Sequence, residues 1–256
     1  MRFVRYQVKT EPPHYGWFFE DKVGPVDGSL FGEFRRLEAD LPLETLRLLA
    51  PVVPSKIMCV GRNYAAHAKE SQAELPEVPL LFLKPPSSII GPGETILLPP
   101  QSQQVEHEAE LVVVIGKQGR WIPLEQAQNY ILGYTIGNDV TARDLQRRDG
   151  QWTRGKGFDT FCPIGPWIET DFDPADAIIT CHVNGEMRQM ASTRDMVFRV
   201  NQLIAFASSV MTLLPGDILF TGTPAGVGPL MPGDIVEATI DGLGTLSNPV
   251  SLEPGR

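Results

Sequence analysis

Proline and glycine interrupt this chain so often that long regular elements are excluded: 24 Gly and 23 Pro stand among 256 residues. Proline removes a backbone donor, and glycine weakens any element that contains it. The segments between them must therefore be short strands, short helices and turns. The apolar patterning agrees. Strand-like runs occur at 3–8, 15–19, 56–60, 79–83, 95–98, 108–115, 130–139, 178–183, 218–220 and 235–240. Two Pro-Gly-Asp turns, at 215–217 and 232–234, each launch a strand. Residues 200–214 read as the best helix, with Val200, Leu203, Ile204, Ala207, Val210, Met211 and Leu214 on one face. Shorter helical patterns cover 41–49, 64–73 and 141–148, the last with Thr141 as N-cap and Asp144 three residues on. Strands and helices do not alternate regularly, which disfavours a doubly wound sheet or a (β/α) barrel. A strand-rich α+β fold built on a mixed, rolled sheet is expected. Residues 1–55 read as a small β-rich N-terminal cap and 56–256 as the main domain, with Pro51 and Pro54 breaking the chain between them.

With 22 basic and 31 acidic residues the formal charge is −9. That argues against a nucleic-acid or anionic-membrane partner, both of which need a basic face. A small anionic substrate remains open, since a few local cations can override the global sign. The cysteines, Cys59, Cys162 and Cys181, are odd in number and lack paired spacing, so neither a disulfide scaffold nor a cysteine zinc site is expected. No apolar run approaches membrane-spanning length, and the N-terminus has no signal-peptide core. The expected location is cytoplasmic.

The sharpest chemical feature is the acidic run Glu106, Glu108 and Glu110, which leads into Leu111-Val-Val-Val-Ile115. On a strand these carboxylates share a face, and like charges at the edge of a core repel and are costly to desolvate. A hard divalent cation, Mg2+, Mn2+ or Ca2+, would resolve the conflict. A solvated acidic edge fits the spacing slightly better on its own; Asp139, at the end of another apolar strand, tips the balance towards a site. His67 and Glu70 stand three apart on a helical pattern, where a carboxylate can orient an imidazole as a base. An incidental exposed pair would look the same. Lys156 lies between Gly155 and Gly157, which allow close backbone approach to a ligand. The stretch from Gly150 to Lys156 is spaced like a nucleotide-binding loop, but residue 157 is Gly and no strand precedes it, so nucleotide binding is rejected. The glycine-rich loop 221–228 is either an anion nest or a plain turn. Serine hydrolase and zinc peptidase motifs are missing.

In order, segments 61–70, 81–85, 107–111, 138–146, 156–161, 183–186 and 221–228 resemble the fumarylacetoacetate hydrolase family. The pattern is nearest its short acylpyruvate hydrolase and oxaloacetate decarboxylase type. The resemblance implies a mixed β-roll, a homodimer, and a metal site of Glu108, Glu110 and Asp139 holding Mg2+, with Mn2+ or Ca2+ as alternatives. It makes His67 and Glu70 a lid dyad and Lys156 and Gln146 catalytic residues. Arg62, Arg143 and Thr223 become substrate contacts, while Glu106 matches no family role. The implied activity is divalent-metal-dependent cleavage of a C–C bond in a small anionic 2-oxo acid, such as an acylpyruvate or oxaloacetate. An isomerase or tautomerase on the same scaffold is the alternative, and an inactive metal-dependent binding protein a remote one.

Overall fold

The computed structural model describes residues 1–70 and 72–254. A 13-stranded mixed sheet dominates it. From one edge its order is Phe34–Arg36, Lys22–Gly28, His14–Phe19, Arg2–Gln7, Cys162–Glu169, Ile131–Asn138, Ala109–Ile115, Ile218–Phe220, Ile57–Gly61 and Leu80–Lys84, with three short strands branching off. A five-stranded sheet contains Ile96–Leu98, Gly244–Leu252, Ile235–Ile240, Ile178–Val183 and Glu186–Ser192. A third, of Thr141–Ala142, Val105–His107 and Gly228–Pro229, closes one end. The helices are short: α1 (Ala65–Glu70), α2 (Arg143–Asp149), α3 (Thr153–Lys156) and α4 (Val200–Val210). This is the strand-rich α+β architecture that the proline and glycine content requires. No helix among the described residues is long and apolar enough to cross a membrane.

The unbroken apolar run at 111–115 is explained by burial on both faces. Leu111, Val113 and Ile115 point into one core with Ile179, Val236, Ile240 and the α4 residues Leu203, Ile204 and Ala207. Val112 and Val114 point into a second core with Ile57, Cys59, Ile218 and Phe220. Each fully buried valine contributes about 1.5–3 kcal/mol.

Residues 1–52 are spliced onto this sheet. Arg2 and Phe3 pair with Glu169 and Ile168, and Phe3, Leu30, Ala50 and Val52 share the second core with Ile57 and Val112. The Glu169 carboxylate accepts from the N-terminal ammonium at 2.6 Å and from Arg2 Nε at 3.1 Å. The helix expected at 41–49 is absent. Instead Leu41–Pro42 is extended, Leu43–Thr45 makes one 3₁₀ turn and Arg47–Leu49 pairs with Arg5–Gln7. Leu41, Leu43, Leu46 and Leu48 all reach Val4, Tyr6 and Val23 from this extended path. Sheet pairing and burial decide between two periods that the leucine spacing fits almost equally.

Candidate active site

The acidic run does not lie on one uninterrupted strand. Val105–His107 and Ala109–Ile115 are separate, and Glu108 occupies the break. Glu110 keeps the strand alternation and shares the face of Val112 and Val114. The antiparallel register sets Ala109 opposite Asn138 and Glu110 opposite Gly137, which brings Asp139 beside Glu108. Two bonds close this corner: the Asp139 N–H donates to the Glu108 carbonyl, and the Glu108 N–H to Asn138 Oδ1, both at 2.8 Å. Glycine is required at 137, where a Cβ would lie 2.3 Å from the Phe220 ring. One oxygen each from Glu108, Glu110 and Asp139 lies within 4.8 Å of the others, and all three residues are buried.

Three cations sit on this cluster. Lys156 Nζ, at the end of α3, donates to Glu108 Oε2 at 2.8 Å and Asp139 Oδ2 at 2.5 Å. Lys84 Nζ, at the end of the edge strand, donates to Asp139 Oδ1 at 2.5 Å and the Val140 carbonyl at 3.1 Å. The Arg143 guanidinium, on α2, bridges Glu108 and Glu106 and also donates to Gln146 Oε1 at 2.8 Å. Glu106 is therefore neither a member of the cluster nor a solvent group; it is buried and holds Arg143. Burial by itself would raise the Glu108 carboxyl, but Lys156 and Arg143 outweigh it and hold the group well below the carboxylate range. Glu110 goes the other way. Burial, then repulsion from Asp139 and Glu108, pushes it well up. Lys156 remains a firm cation, because Asp139 and Glu108 overcome the desolvation that opposes its charge.

Thr141 does not cap α2. It lies on a short strand, and its hydroxyl reaches Glu108 Oε1 at 3.0 Å and the Asp139 carbonyl at 2.8 Å. Asp144 instead anchors the loop before the acidic run, accepting from Ser102 Oγ at 2.6 Å and the Gln103 N–H at 3.0 Å. The glycines around Lys156 serve packing of the chain on itself. A Cβ at Gly155 would meet the Gln146 backbone at 2.9 Å, and one at Gly157 the Thr153 carbonyl at 2.5 Å.

The buried His67 and half-exposed Glu70 lie on α1, with His67 Nδ1 3.3 Å from Glu70 Oε2. Glu70 also accepts the Gly226 N–H, at 3.0 and 3.2 Å to its two oxygens. The Gly222 N–H donates to Glu110 Oε2 at 2.6 Å. The glycine-rich loop thus receives anions as a nest does, but both of these anions are carboxylates of the protein itself. The Thr223 hydroxyl donates to the Ala109 carbonyl at 2.9 Å and accepts from Gln189 at 2.8 Å, so its proton is already engaged within the chain. Arg62, Arg143 and Gln146 line a common cleft beside the cluster. Part of the helical pattern expected at 64–73 falls on Ser71, outside the described residues; within the described residues α1 covers Ala65–Glu70.

A family model described as "Fumarylacetoacetate (FAA) hydrolase C-terminal" matches residues 56–251. The chain belongs to the fumarylacetoacetate hydrolase family. A second model, "Rv2993c-like, N-terminal", matches residues 1–51. Among this family's members, the chain is 47% identical over 286 residues to the mitochondrial oxaloacetate tautomerase Fahd2a of Rattus norvegicus, covering 98% of this chain and 91% of that protein. The crystal structure of a 5-carboxymethyl-2-hydroxymuconate delta-isomerase from Mycobacterium smegmatis superposes with a TM-score of 0.92 at 46% identity, covering 99% and 100% of the two chains. That of a 2-hydroxyhepta-2,4-diene-1,7-dioate isomerase from Mycobacterium marinum gives 0.92 at 44% identity, covering both chains completely. These relatives are enzymes, and their names speak of tautomerase and isomerase activity rather than C–C cleavage.

The fumarylacetoacetate hydrolase fold brings nearly all the residues expected from sequence to one end of the molecule. From sequence Lys84 has no assigned role, Glu106 belongs to the acidic run but matches no family role, and Thr141 reads as a helix cap, whereas all three bond to the cluster or its cations. Lys84 carried a usable signal, a lone cation closing the apolar run Leu80–Lys84. Such a lysine needs a buried anion to face.

Proposed function

We propose that this chain is a divalent-metal-dependent enzyme that enolises small 2-oxo acids. The observation that carries this reading is the buried cluster of Glu108, Glu110 and Asp139, with its oxygens within 4.8 Å of one another and Lys156 spanning two of its members. An all-oxygen donor set suits Mg2+, with Mn2+ and Ca2+ as alternatives. Glu110, raised by burial and then by its acidic neighbours, would be stabilised as a carboxylate by such a cation. Four carboxylates, Glu106 included, against Lys84, Arg143 and Lys156 leave one formal negative charge, which a divalent ion reverses to one positive charge. That sign favours a small anionic substrate. When bound, the ion supplies Lewis-acid stabilisation of charge that develops beside it.

The protein's own groups do the rest. His67, oriented by Glu70, removes a proton from the methylene carbon beside the 2-oxo group, and the imidazolium so formed returns that proton to the oxo oxygen, directly or through a water, to complete the enol and regenerate the base. Lys156 stays charged and acts electrostatically, while Lys84 holds Asp139 in place. Arg143 and Gln146 orient the bound acid. The α1 helix, tied down through Glu70 and Gly226, excludes bulk water, which would otherwise weaken every charge interaction in the site.

A second reading is C–C cleavage, favoured by the same His67–Glu70 pair, which has the arrangement needed to deprotonate water. Water would add to a distal carbonyl, the adjacent C–C bond would break, and the departing pyruvate carbon would take the proton. In oxaloacetate the distal group would leave as CO2 instead. Both readings pass through a C2–C3 enolate, that of the intact acid in the first and that of pyruvate in the second, and differ in whether a C–C bond breaks.

The deciding experiment follows oxaloacetate and acetylpyruvate by NMR with EDTA-stripped protein, with and without Mg2+. Metal-dependent keto–enol exchange without pyruvate supports the tautomerase, and metal-dependent pyruvate release supports cleavage. Tight binding of oxalate with neither reaction would make the chain an inactive binder. A homodimer is proposed from the family resemblance, with light scattering as its check.

A further inference from the structure

Gln189 is a buried amide within an exposed stretch of strand. Glu186, Met187, Arg188 and Met190 around it face solvent, at the edge of the five-stranded sheet. A bulge sets this pattern. Cys181 pairs with Gln189 and His182 with Met187, which leaves Arg188 as an extra residue. An extra residue bends an edge strand and re-aims the side chain beside it. Gln189 is 1% exposed, so each polar atom of its amide needs a partner inside the protein.

All four bonding positions of the amide are filled. Oε1 accepts from the Ala109 N–H and from His107 Nδ1, both at 3.1 Å. Nε2 donates to Thr223 Oγ1 and to the Pro224 carbonyl, both at 2.8 Å. Backbone groups fix the orientation of the amide, because an N–H only donates and a carbonyl only accepts. One side chain thus joins Ala109, which stands between Glu108 and Glu110, to the glycine-rich loop.

The loop has two anchors. Its start is fixed without Gln189. Thr221 donates to the Leu111 carbonyl from both its N–H and its hydroxyl, and its own carbonyl accepts from Asn63 Nδ2 at 2.7 Å. That anchor keeps the Gly222 N–H on Glu110. Residues 223–226 are carried by the bulged strand instead. Gln189 grips Thr223 and Pro224. Gly226, with φ of 98°, lies so close to the bulge that a Cβ would overlap the Arg188 carbonyl oxygen. Gly226 in turn donates to both carboxylate oxygens of Glu70, which faces His67 Nδ1. The line of contacts runs from Gln189 through the loop to α1.

We propose that Gln189 is a positioning residue for the His67–Glu70 pair. It sets where the Gly226 N–H meets Glu70, and so where the base stands. This rests on the role given to His67 and Glu70 above and deepens it. With its four bonds used, the amide acts only through these partners.

Two variants of the full chain reach this link from opposite sides. Gln189→Met keeps the volume and removes all four bonds. Gly226→Ala leaves Gln189 intact and forces residue 226 away from Arg188. Each is combined with Glu70→Ala in a double-mutant cycle on Mg2+-dependent turnover of oxaloacetate. Each should lower kcat about tenfold in the wild-type background and less than about twofold in the Glu70→Ala background, with KM nearly unchanged. A residue that only stabilises the fold would give additive losses. The same pattern is expected of Gln189→Glu, which keeps the bonds to Ala109 and His107, weakens those to the loop, and covers the case in which Gln189→Met does not fold. Mg2+ affinity of Gly226→Ala, read by calorimetry, should stay within about threefold of wild type, because Gly222 keeps its separate anchor.

Hydrogen exchange supplies a readout that needs no turnover. In the variants at 189 and 226, α1 and residues 223–226 should exchange at least about tenfold faster, with Ile131–Asn138 unchanged. Additive losses of kcat, or α1 exchange equal to that of wild type, would overturn the proposal. A wild-type chain that turns over neither oxaloacetate nor acetylpyruvate would instead remove the 2-oxo acid reading, and the exchange of α1 would then decide the positioning by itself.

Discussion

Lys84 shows how much a single buried charge can matter in this site. It is 2% exposed and donates to Asp139, so removing it leaves a buried carboxylate with Lys156 as its remaining cation. Breaking one side of a buried ion pair costs about 3–5 kcal/mol, and Lys84→Met should lower the urea midpoint accordingly. A change below about 1 kcal/mol would mean that Asp139 does not depend on Lys84. Glu169 makes a milder case at the other end of the sheet. Despite partial burial, bonds from the N-terminal ammonium, the Asp171 N–H and Arg2 hold its carboxyl below its ordinary value. A depressed folded value means that the stabilisation is complete above the ordinary carboxylate range and is lost as pH falls through the folded value. Glu169→Gln should therefore be less stable than the wild type at neutral pH and converge with it in acid, as read by thermal unfolding from pH 7 to pH 3. A gap that widens in acid would contradict the assignment.

At the scale of elements, α1 and the glycine-rich loop act together. Glu70 orients His67 and ties the helix to Gly226. A positioned general base contributes about 10²–10⁴-fold, so under the proposed enolisation His67→Ala should lower turnover by that range, and Glu70→Ala by a smaller factor through lost orientation. Unchanged kcat in both variants would remove α1 from the chemistry. Two misread elements share one cause. At 41–49 the leucine spacing fits a helix and an extended path alike, and pairing of Arg47–Leu49 with the N-terminal strand decides for the latter. At 141 the threonine is a good cap by type, but its hydroxyl finds Glu108 and the Asp139 carbonyl instead. Local pattern measures preferences of at most about 2 kcal/mol, and a tertiary partner can outweigh them.

At the scale of the whole molecule, the two-core sheet delivers Glu108 and Glu110 from one strand, Asp139 from its neighbour, Lys84 from an edge strand and Lys156 from α3 to a common point. A cluster so rich in carboxylate should respond strongly to a cation. Mg2+ at about 100 times its Kd should add about 2.7 kcal/mol to stability, which is a rise of roughly 5–10 °C in Tm for a chain of this size. Asp139→Asn should abolish that rise together with Mg2+-dependent turnover. A full shift in the variant would place the cation elsewhere.

The amino-acid sequence by itself determined the class of fold, because frequent proline and glycine forbid long elements and a continuous apolar run must be buried on both faces. It also determined which side chains were candidates, because carboxylates beside a core and an oriented imidazole are costly or idle unless they work. Only the tertiary structure decided which of them meet. The register that sets Ala109 against Asn138 brings Asp139 to Glu108. The break at Glu108 separates Glu106 from the cluster and gives it to Arg143. Chain closure sends Lys84 and Lys156, 72 residues apart, to the same carboxylate. Spacing along a chain reports which residues share a face of one element. Contacts between elements depend on register and packing, which are settled only when the whole core is assembled.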